Sequence, residues 1–366
     1  ARRTRNPKMP TRRNVLATSL SACAALPFAA RAAKGEKLKY LQIGTGHPHA
    51  NKISVYADSD DWEVVGIVEE DPARLDAARK HEVFGRFDFL SLDEGLGTPD
   101  LAAVGVETDI RDLLKYAELA VDAGFHVHLD KPAGASLEDY RRILEKADDK
   151  NLVVQMGYMY RFNPAVQLLH RMLDEQWLGE IFETHAVMSK VMSQSARSTI
   201  DEFAGGTMFE LGCHIIDLTV GVLGKPDKVT AFPRRVVESD EDSLQDNMLA
   251  VFQYPKATST VRSTAVEVEG FSRRHFAVCG TEGTFHIQPL DRPSVRLSLS
   301  RDRSFPGEDR VYKKGNSEIT FDPPYQRYVG DAADLAKIIR GEKENPYPPS
   351  RDLAVQEAVL AASDMQ

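Results

Sequence analysis

Residues 38–50 read LKYLQIGTGHPHA, and this stretch decides the fold of the 366-residue chain. The apolar run Leu38–Ile43 is typical of a buried strand, and Gly44 and Gly46 follow it directly. Glycines at a strand-to-helix turn let the backbone approach a pyrophosphate, which the positive end of the next helix stabilises. We therefore predict that the chain begins with a dinucleotide-binding domain whose turn also contributes Thr45 and His47.

Apolar runs alternate with helical segments through residues 37–157, which predicts an NAD(P)-binding Rossmann domain with a doubly wound parallel sheet. The second run, Trp62–Val68, ends in Glu69, about two dozen residues after the glycines, where an acid contacts the adenosine ribose. Glu70 and Asp71 add no cation for a 2′-phosphate, so this pattern favours NAD over NADP. Lys131 follows another buried run, at the sheet edge where ligands bind.

Two histidines of the glycine turn, His47 and His49, suit a metal ion as a pair. No further ligands accompany them in the sequence. We therefore predict no metal site and assign His47 to the cofactor-binding turn.

Residues 158–366 predict a second α/β domain, for substrate binding and dimerisation, with a large open antiparallel sheet. Strand-like segments follow one another with hairpin signals, and two helices close the chain near Tyr325–Arg340 and Ser350–Ser363. The polar, serine-rich residues 190–206 predict an active-site loop, and residues 301–324 predict an irregular segment. The predicted strands are Lys228–Val237, Met248–Tyr254, Ala257–Val268, Arg274–Val278, Thr284–Gln288 and Val295–Ser300.

Residues 205–217 read GGTMFELGCHIID and predict a helix with several ionisable side chains on one face. Glu210, His214 and Asp217 are spaced i, i+4 and i+7, so they share that face, and no lysine or arginine accompanies them. The carboxylate four residues before the histidine suits an imidazole oriented for proton transfer. The same spacing also suits two metal ligands or a hydrogen-bonded core histidine, and the segment alone leaves all three open.

The chain resembles the Gfo/Idh/MocA family, named for glucose-fructose oxidoreductase and inositol dehydrogenase. The matching motifs run in order from the Gly44 turn to residues 123–132 (AGFHVHLDKP), 160–164 (YRFNP), the Gly-Gly segment through His214, and the Gly280–Gly283 turn. The resemblance implies a Rossmann domain followed by an α/β domain whose open antiparallel sheet often forms dimers. Most members are NAD(P)-dependent oxidoreductases that act on sugars, polyols and related compounds.

The resemblance also implies roles for single residues. Lys131 matches a lysine that contacts the cofactor and stabilises the substrate oxygen, His214 matches the catalytic base, and Glu210 matches a carboxylate that orients the base. Glu210 stands in place of the usual aspartate, and Asp130 in place of the usual glutamate. Thr108 lies in the segment expected on the nicotinamide side, which lacks the usual proline. Residues that could line a sugar site by stacking and hydrogen bonding are Tyr158, Tyr160, Arg161 and Asn163.

The reaction that these residues imply is hydride transfer between NAD(P) and a carbohydrate-like substrate. An alternative is an NAD-dependent glycosidase, in which transient oxidation permits elimination of the glycosidic bond before the ketone is reduced again. A third hypothesis is a sugar-binding protein that holds the cofactor but has no catalytic activity. Two departures from the family pattern motivate it: Glu210 replaces the usual aspartate, and Leu113 stands near where the family commonly has a histidine. The sequence names neither the sugar nor a second substrate.

Residues 1–33 predict an export signal, because seven basic residues and no acid precede or flank a mildly apolar run that ends in small residues. Arg12 and Arg13, followed by Asn14-Val15-Leu16, resemble a twin-arginine (Tat) signal. That resemblance implies periplasmic export of the folded protein with its cofactor tightly bound. A lipobox-like stretch ending at Cys23 gives a lipid anchor as an alternative.

The charge of the chain limits its partners. Removal of the seven basic residues of the signal takes the formal net charge from −9 to −16, which disfavours nucleic acids and anionic membranes. We therefore expect a small-molecule carbohydrate-like substrate, no nucleic acid and no membrane span. We also expect a homo-oligomer formed through the C-terminal sheet.

Overall fold

The computed structural model describes residues 36–365, which form two sheets flanked by helices. The predicted export signal, including the twin-arginine motif and Cys23, lies outside the described residues. Within residues 36–365 every helix is too short or too polar to cross a membrane.

The first sheet has six parallel strands in the order β3-β2-β1-β4-β5-β6. This order is that of a doubly wound dinucleotide-binding sheet, and the chain reverses direction across the sheet between β1 and β4. The predicted Rossmann architecture is thereby confirmed. The strands are β1 Leu38–Ile43, β2 Trp62–Val68, β3 Phe89–Leu90, β4 Leu101–Val106, β5 His126–Leu129 and β6 Val154–Met156. The helices between them are α1 Ile53–Asp58, α2 Pro72–Ala78, α3 Leu92–Leu96, α4 Leu113–Asp122 and α5 Leu137–Asp149.

Local sequence signals explain these elements. Strand β1 is apolar and almost wholly buried, as expected for a central parallel strand covered on both faces. Gly44, which follows it, has φ +90°, a left-handed conformation that side chains other than glycine rarely adopt. Helix α2 begins where the Asp71 carboxylate accepts a hydrogen bond from Arg74 N, with Pro72 in the first turn.

The second sheet has eight strands in the order β14-β13-β12-β11-β7-β10-β9-β8. All neighbours are antiparallel except β7 and β10, so the predicted large sheet is confirmed with one parallel pair. Its strands are β7 Ile181–Ser189, β8 Lys228–Arg234, β9 Asn247–Gln253, β10 Thr258–Thr264, β11 His275–Gly280, β12 Gly283–Ile287, β13 Ser294–Leu299 and β14 Gly315–Thr320. The remaining helices are α6 Pro164–Asp174, α7 Gln194–Ile200, α8 Cys213–Leu223, α9 Gly270–Arg273, α10 Val329–Ile339 and α11 Pro349–Ala362. Short 3₁₀ turns span Ala50–Lys52, Phe84–Arg86, Ile110–Asp112 and Met159–Phe162.

Two segments differ from the sequence prediction. The predicted loop 190–206 contains α7, because Ser193 caps that helix by accepting a hydrogen bond from Ala196 N. The predicted irregular segment 301–324 contains β14, whose Ile319 side chain is buried against the sheet. Both elements consist mainly of polar residues, so hydrophobic periodicity gave no signal for them.

The end of the chain returns to the first sheet. Helix α10 packs against it through Ala332 and Leu335, which join a core cluster with Tyr40 and Trp62. The indole nitrogen of Trp62 donates a hydrogen bond to Ala332 O at 2.9 Å. Residues from the second half of the chain therefore cover part of the Rossmann sheet near the amino ends of β1 and β2.

Candidate active site

The helix predicted over residues 205–217 has an irregular beginning. Residues Met208–Gly212 form a π-helical turn, and α8 continues from Cys213. A π turn hydrogen-bonds from i to i+5, and such turns recur at functional sites. The wider turn changes the direction of Glu210 relative to His214, so the regular i, i+4 geometry of an α-helix does not apply to this pair.

Lys131 and Glu210 form a buried ion pair. The Lys131 ammonium donates to Glu210 Oε1 at 2.8 Å and to Glu210 O at 3.0 Å. Burial acts to raise the pKa of Glu210, but the charges of Lys131 and Lys190 lower it to about 2. Burial likewise acts to lower the pKa of Lys131, but the surrounding charges, Glu210 foremost, hold it above its ordinary value. Both groups are therefore charged at neutral pH.

His214 lies beside this ion pair and is 2% exposed. Its Nδ1 is buried without a hydrogen-bond partner among the described residues, and so is Oε2 of Glu210. The rings of Tyr160 and His49 lie 5.5 and 5.6 Å from the His214 ring. Burial and the charge of Lys131 lower the pKa of His214 well below its usual range, so the imidazole is neutral and able to accept a proton.

The predicted hydrogen bond from Glu210 to His214 is absent from the described residues, because Oε1 of that carboxylate bonds Lys131 and Oε2 bonds nothing. Glu210 therefore contacts the lysine of the site rather than the histidine. Its extra methylene, relative to aspartate, carries the carboxylate as far as the Lys131 ammonium.

Asp217, the third ionisable group of the helix, has a different environment. It accepts hydrogen bonds from Arg161 Nε at 3.0 Å and from Arg161 Nη2 at 2.6 Å, and Nη2 also donates to Asp352 at 2.6 Å. The Arg161 guanidinium lies 4.2 Å from the ring centre of Tyr347 and 5.0 Å from that of Tyr158. Arg161 is thus held by protein partners on several sides, in a buried cluster that joins the YRFNP segment to α8 and α11.

The other predicted substrate residues are also buried. Asn163 caps α6 by accepting a hydrogen bond from Ala165 N and donates to Leu290 O at 2.8 Å, so its amide is fully used by the fold. Tyr160 donates its hydroxyl to Asp291 at 2.8 Å. The Tyr158 hydroxyl has no hydrogen-bond partner among the described residues. Of the four, Tyr158 and Tyr160 have rings near His214.

A second buried cluster lies behind Lys131. The Lys52 ammonium contacts Asp130 Oδ2 at 2.5 Å, His128 Nε2 at 2.8 Å and Glu107 Oε1 at 3.0 Å. Asp130 also accepts a hydrogen bond from Lys131 N at 2.7 Å. The cluster therefore fixes the backbone that carries Lys131. No sequence motif marks it, because its members are distant in the chain.

The two histidines of the glycine turn join the same cluster. His47 Nε2 lies 2.9 Å from Lys131 O, and His49 Nδ1 lies 3.2 Å from Asp130 Oδ1. The expectation that no further ligand accompanies these histidines is wrong, because Asp130 lies close to both. Lys52 already supplies a cation to that carboxylate. Burial lowers the pKa of His47 to about 3, so its ring is neutral in this position.

The glycine turn fits a dinucleotide. A Cβ on Gly44 would lie 2.6 Å from Thr108 Cγ2, so only glycine permits this close approach of two backbone segments. Next to the turn, Arg74 Nη2 donates to Asp109 Oδ2 at 2.5 Å, and Nη1 would lie 2.2 Å from a Cβ on Gly46. The turn therefore has the close backbone approach of a dinucleotide-binding loop at Gly44, and the Arg74 guanidinium, paired with Asp109, lies against Gly46.

Glu69 faces the same turn. Its Oε2 accepts hydrogen bonds from Thr45 N at 2.9 Å and Thr45 Oγ1 at 2.6 Å. A cleft opens at this point and is lined by Gly44, Glu69, Arg74 and Thr108 among others. Glu69 therefore contacts Thr45 and shares this cleft with Thr108, which was expected on the nicotinamide side, and Arg74 is a further lining residue that no sequence motif marks.

Four more polar residues from the second domain contact or act electrostatically on Tyr160, Glu210 or His214. Asp291 accepts hydrogen bonds from Tyr160, from Arg274 Nη1 at 3.0 Å and from Arg327. Lys190 follows β7 and acts electrostatically on Glu210. No sequence motif marks these residues, because they come from separate loops.

A dinucleotide-type glycine turn on a doubly wound sheet, facing a buried lysine, carboxylate and histidine, defines the class of two-domain oxidoreductases. Residues 38–158 match the model of the oxidoreductase family with an NAD-binding Rossmann fold, and residues 166–286 match that of the GFO/IDH/MocA C-terminal domain. The chain belongs to the Gfo/Idh/MocA family and is an NAD(P)-dependent oxidoreductase.

Three similar proteins illustrate the range of the family. Trans-1,2-dihydrobenzene-1,2-diol dehydrogenase of Sus scrofa is 26% identical over 265 residues, which span 69% of this chain and 76% of that protein. D-xylose 1-dehydrogenase (NADP(+)) 2 of Haloferax volcanii is 23% identical over 78% of this chain and 85% of that protein. The solved structure of levoglucosan dehydrogenase with NADH and levoglucosan has a TM-score of 0.73 and 20% identity, covering 90% of this chain and 98% of that chain.

Proposed function

We propose that the protein transfers a hydride between a nicotinamide cofactor and a hydroxyl-bearing carbon of a sugar, polyol or related carbohydrate. The observation that carries this proposal is the Lys131–Glu210 ion pair beside His214, whose buried Nδ1 has no protein partner. A buried polar atom without a partner is costly, and a substrate hydroxyl offers the missing hydrogen bond. The site thus contains a neutral base and a cation side by side.

The residues have separate roles in this reaction. His214 takes the hydroxyl proton as the carbon is oxidised, and it returns that proton in the reverse direction. The Lys131 ammonium stabilises the negative charge that develops on the substrate oxygen. Glu210 keeps Lys131 protonated and in place, and the Asp130–Lys52 cluster fixes the backbone on either side of it.

The cofactor would be held by the glycine turn and the cleft beside it. Gly44, Thr45 and Gly46 approach the pyrophosphate, Thr108 lines the cleft, and Glu69 is suited to the adenosine ribose. A nicotinamide held there would supply the acceptor or donor for the hydride of the substrate carbon. We propose NAD as the preferred cofactor, because the Glu69 carboxylate would repel a 2′-phosphate and Arg74 is already paired with Asp109.

The assay for this proposal combines each cofactor with a panel of carbohydrates. NADH or NADPH formation is recorded at 340 nm with aldoses, polyols and anhydrosugars, and the dissociation constants of NADH and NADPH are measured by titration. We expect reduction of NAD with at least one carbohydrate and tighter binding of NADH than of NADPH. Release of the leaving group from an aryl glycoside without net reduction of cofactor would instead support the NAD-dependent glycosidase.

We further propose that the protein is exported through the Tat pathway, retains its cofactor tightly and assembles into a homo-oligomer through the C-terminal sheet. The export-signal pattern of residues 1–33 supports the first point. A compartment without a soluble nicotinamide pool requires a retained cofactor, which supports the second. Protein purified without added nucleotide, then denatured, should release a dinucleotide detectable by mass spectrometry, and release of none would refute retention.

A further inference from the structure

Four cationic side chains lie in the region of His214, Tyr160 and Glu210. Lys131 comes from the Rossmann edge, whereas Lys190, Arg274 and Arg327 come from the loops after β7, before β11 and before α10. The charges of Lys131 and Arg274 act on His214, and those of Lys131, Arg274 and Arg327 act on Lys190. All four therefore belong to one electrostatic environment next to the reacting group.

The carboxylates in this environment neutralise only part of the charge. Glu210 pairs with Lys131 at 2.8 Å, and Asp291 is shared by Arg274 and Arg327. Lys52 and Asp130, in the buried cluster behind Lys131, form an ion pair with each other and so do not change this balance of charges. Four cations against two carboxylates leave an excess of two positive charges beside the substrate position.

Among these four cations, Lys190 is the one whose ammonium forms no ion pair with a described residue. Within residues 36–365, no hydrogen bond or ion pair closer than 4 Å engages its ammonium, although the residue is half-buried. Burial lowers its pKa from the ordinary value and the neighbouring cations act in the same direction, whereas the charge of Glu210, which is already paired with Lys131, acts to raise it. A half-buried ammonium near other cations costs free energy, and a bound anion would remove that cost.

Arg327 is the more exposed of the two arginines that share Asp291. Its side chain is 36% exposed, whereas Arg274 is 3% exposed and donates to Ser189 O as well as to Asp291. Arg274 is therefore fixed behind Asp291, while the Arg327 and Lys190 side chains are partly exposed and close enough for their charges to interact. A guanidinium and an ammonium in one electrostatic environment are the groups with which proteins bind carboxylates and phosphates.

We propose that the substrate is an anionic carbohydrate, whose carboxylate or phosphate group binds Lys190 and Arg327 while a hydroxyl group meets His214 and Lys131. This inference rests on the proposed function, since it names the substrate class of the same site. The anionic group fixes which carbon faces the cofactor, and it selects acidic sugars over neutral ones.

The test uses three probes with one ring: glucose, glucuronate and glucose 6-phosphate, each with the protein saturated with NAD or, for binding, with NADH. Turnover is followed at 340 nm, and binding to the NADH complex is followed by titration calorimetry. Glucuronate and glucose 6-phosphate distinguish a carboxylate site from a phosphate site. A galactose series with the same three groups covers a different ring stereochemistry.

The variant Lys190→Gln removes the unpaired charge, and Lys80→Gln removes an exposed lysine of the Rossmann domain as its matched control. We expect an anionic probe to bind at least tenfold more tightly than its neutral counterpart. Lys190→Gln should weaken the anionic probe about 10- to 100-fold, through KM or Kd rather than kcat. Lys190→Arg should restore most of the preference, and Lys80→Gln should change nothing.

Equal binding of neutral and anionic probes, or an anion preference that survives Lys190→Gln, overturns the proposal even if neutral sugars are oxidised. Tight, Lys190-dependent binding of anionic sugars with no reduction of NAD or NADP upholds the anion site and refutes the proposed function. Absence of both binding and turnover for every probe refutes both. Thermal melting of each variant confirms that a loss of binding is not a loss of fold.

Discussion

Two buried ion clusters are attached to the same helical segment, and they differ in what they leave unpaired. Glu210, in the π turn, pairs with Lys131 beside His214, whereas Asp217, in α8, pairs with Arg161. At the first cluster the Glu210 Oε2 and the His214 Nδ1 have no partner among the described residues. At the second, Asp217 and the Arg161 guanidinium bind each other through three hydrogen bonds, and the only guanidinium nitrogen without a partner among the described residues is Arg161 Nη1.

The difference distinguishes the candidate active site from a cluster that joins parts of the fold. The Arg161 cluster also includes Asp352 and the rings of Tyr158 and Tyr347, so it ties three parts of the chain together. The cluster around Lys131 holds its charges at the edge of the Rossmann sheet, next to the glycine turn, with hydrogen-bonding capacity in reserve. Similar residue types therefore serve stability in one place and chemistry in the other.

Removal of the base should have the largest effect. His214→Ala deletes the group that takes the hydroxyl proton, and we expect kcat to fall roughly 10³- to 10⁴-fold, or about 4–5 kcal/mol of transition-state stabilisation. The dissociation constant for NADH and the melting temperature should stay close to those of the wild type. Steady-state kinetics with titration of NADH measures both, and an unchanged kcat would contradict the assignment.

Breaking the other cluster should affect stability instead. Arg161→Met leaves Asp217 and Asp352 buried without a cation, and we expect the free energy of unfolding to fall by about 3–5 kcal/mol. Arg171→Met is the matched control, because the exposed pair of Arg171 with Glu308 should contribute about 1 kcal/mol or less. Urea denaturation measures both variants. A stable Arg161→Met protein that has lost only activity would place Arg161 in the substrate site.

Glu210→Gln tests whether this carboxylate serves Lys131. Without it, burial lowers the pKa of Lys131, so a smaller fraction of the lysine is protonated as the pH rises. We expect kcat to fall about 10- to 100-fold at pH 8 and less at pH 6, as a lost charged hydrogen bond implies. The pH–rate profile measures this, and Glu210→Asp should recover part of the rate. A profile shifted in the acidic limb alone would link Glu210 to His214 instead.

The smallest effect concerns a carboxylate with no ion pair. Both oxygens of Asp331 are buried without a partner among the described residues, and burial raises its pKa to about 7. Its folded-state pKa lies above the unfolded value, so its contribution to stability is present below about pH 4 and is lost as the pH rises through 7. Asp331→Asn should therefore gain about 1–2 kcal/mol relative to the wild type at pH 8 and almost nothing at pH 4. Urea denaturation at both pH values checks this, and an equal gain at both would contradict the raised pKa.

The local parts of the fold could be predicted from the sequence. Strand β1, its glycine turn and the acid at Glu69 are all specified within about two dozen residues, and the structure brings them together as expected. Strand β14 and helix α7 could not be predicted, since their sequences are polar and their stability comes from packing against neighbours.

The site could be predicted only in its centre. His214 and Lys131 were identified by motif, but the π turn that directs Glu210 toward Lys131 depends on tertiary packing rather than on i, i+4 spacing. Lys52 is a lysine at the start of a helix, a pattern typical of solvated surface, yet it is 1% exposed because acids and a histidine far away in the chain surround it. Asp291 likewise collects partners from three separate segments.

The most direct measurement of the central claim is a single-turnover experiment on the wild type and His214→Ala. Each protein is saturated with NAD, mixed with the most active carbohydrate of the panel, and followed at 340 nm in a stopped-flow instrument. We predict formation of one NADH per site in the wild type. In His214→Ala we predict a rate at least about 10³-fold lower, with an affinity for NADH equal to that of the wild type. An equal rate in both proteins, or no reduction by any carbohydrate in a wild type that binds NAD, would contradict the account.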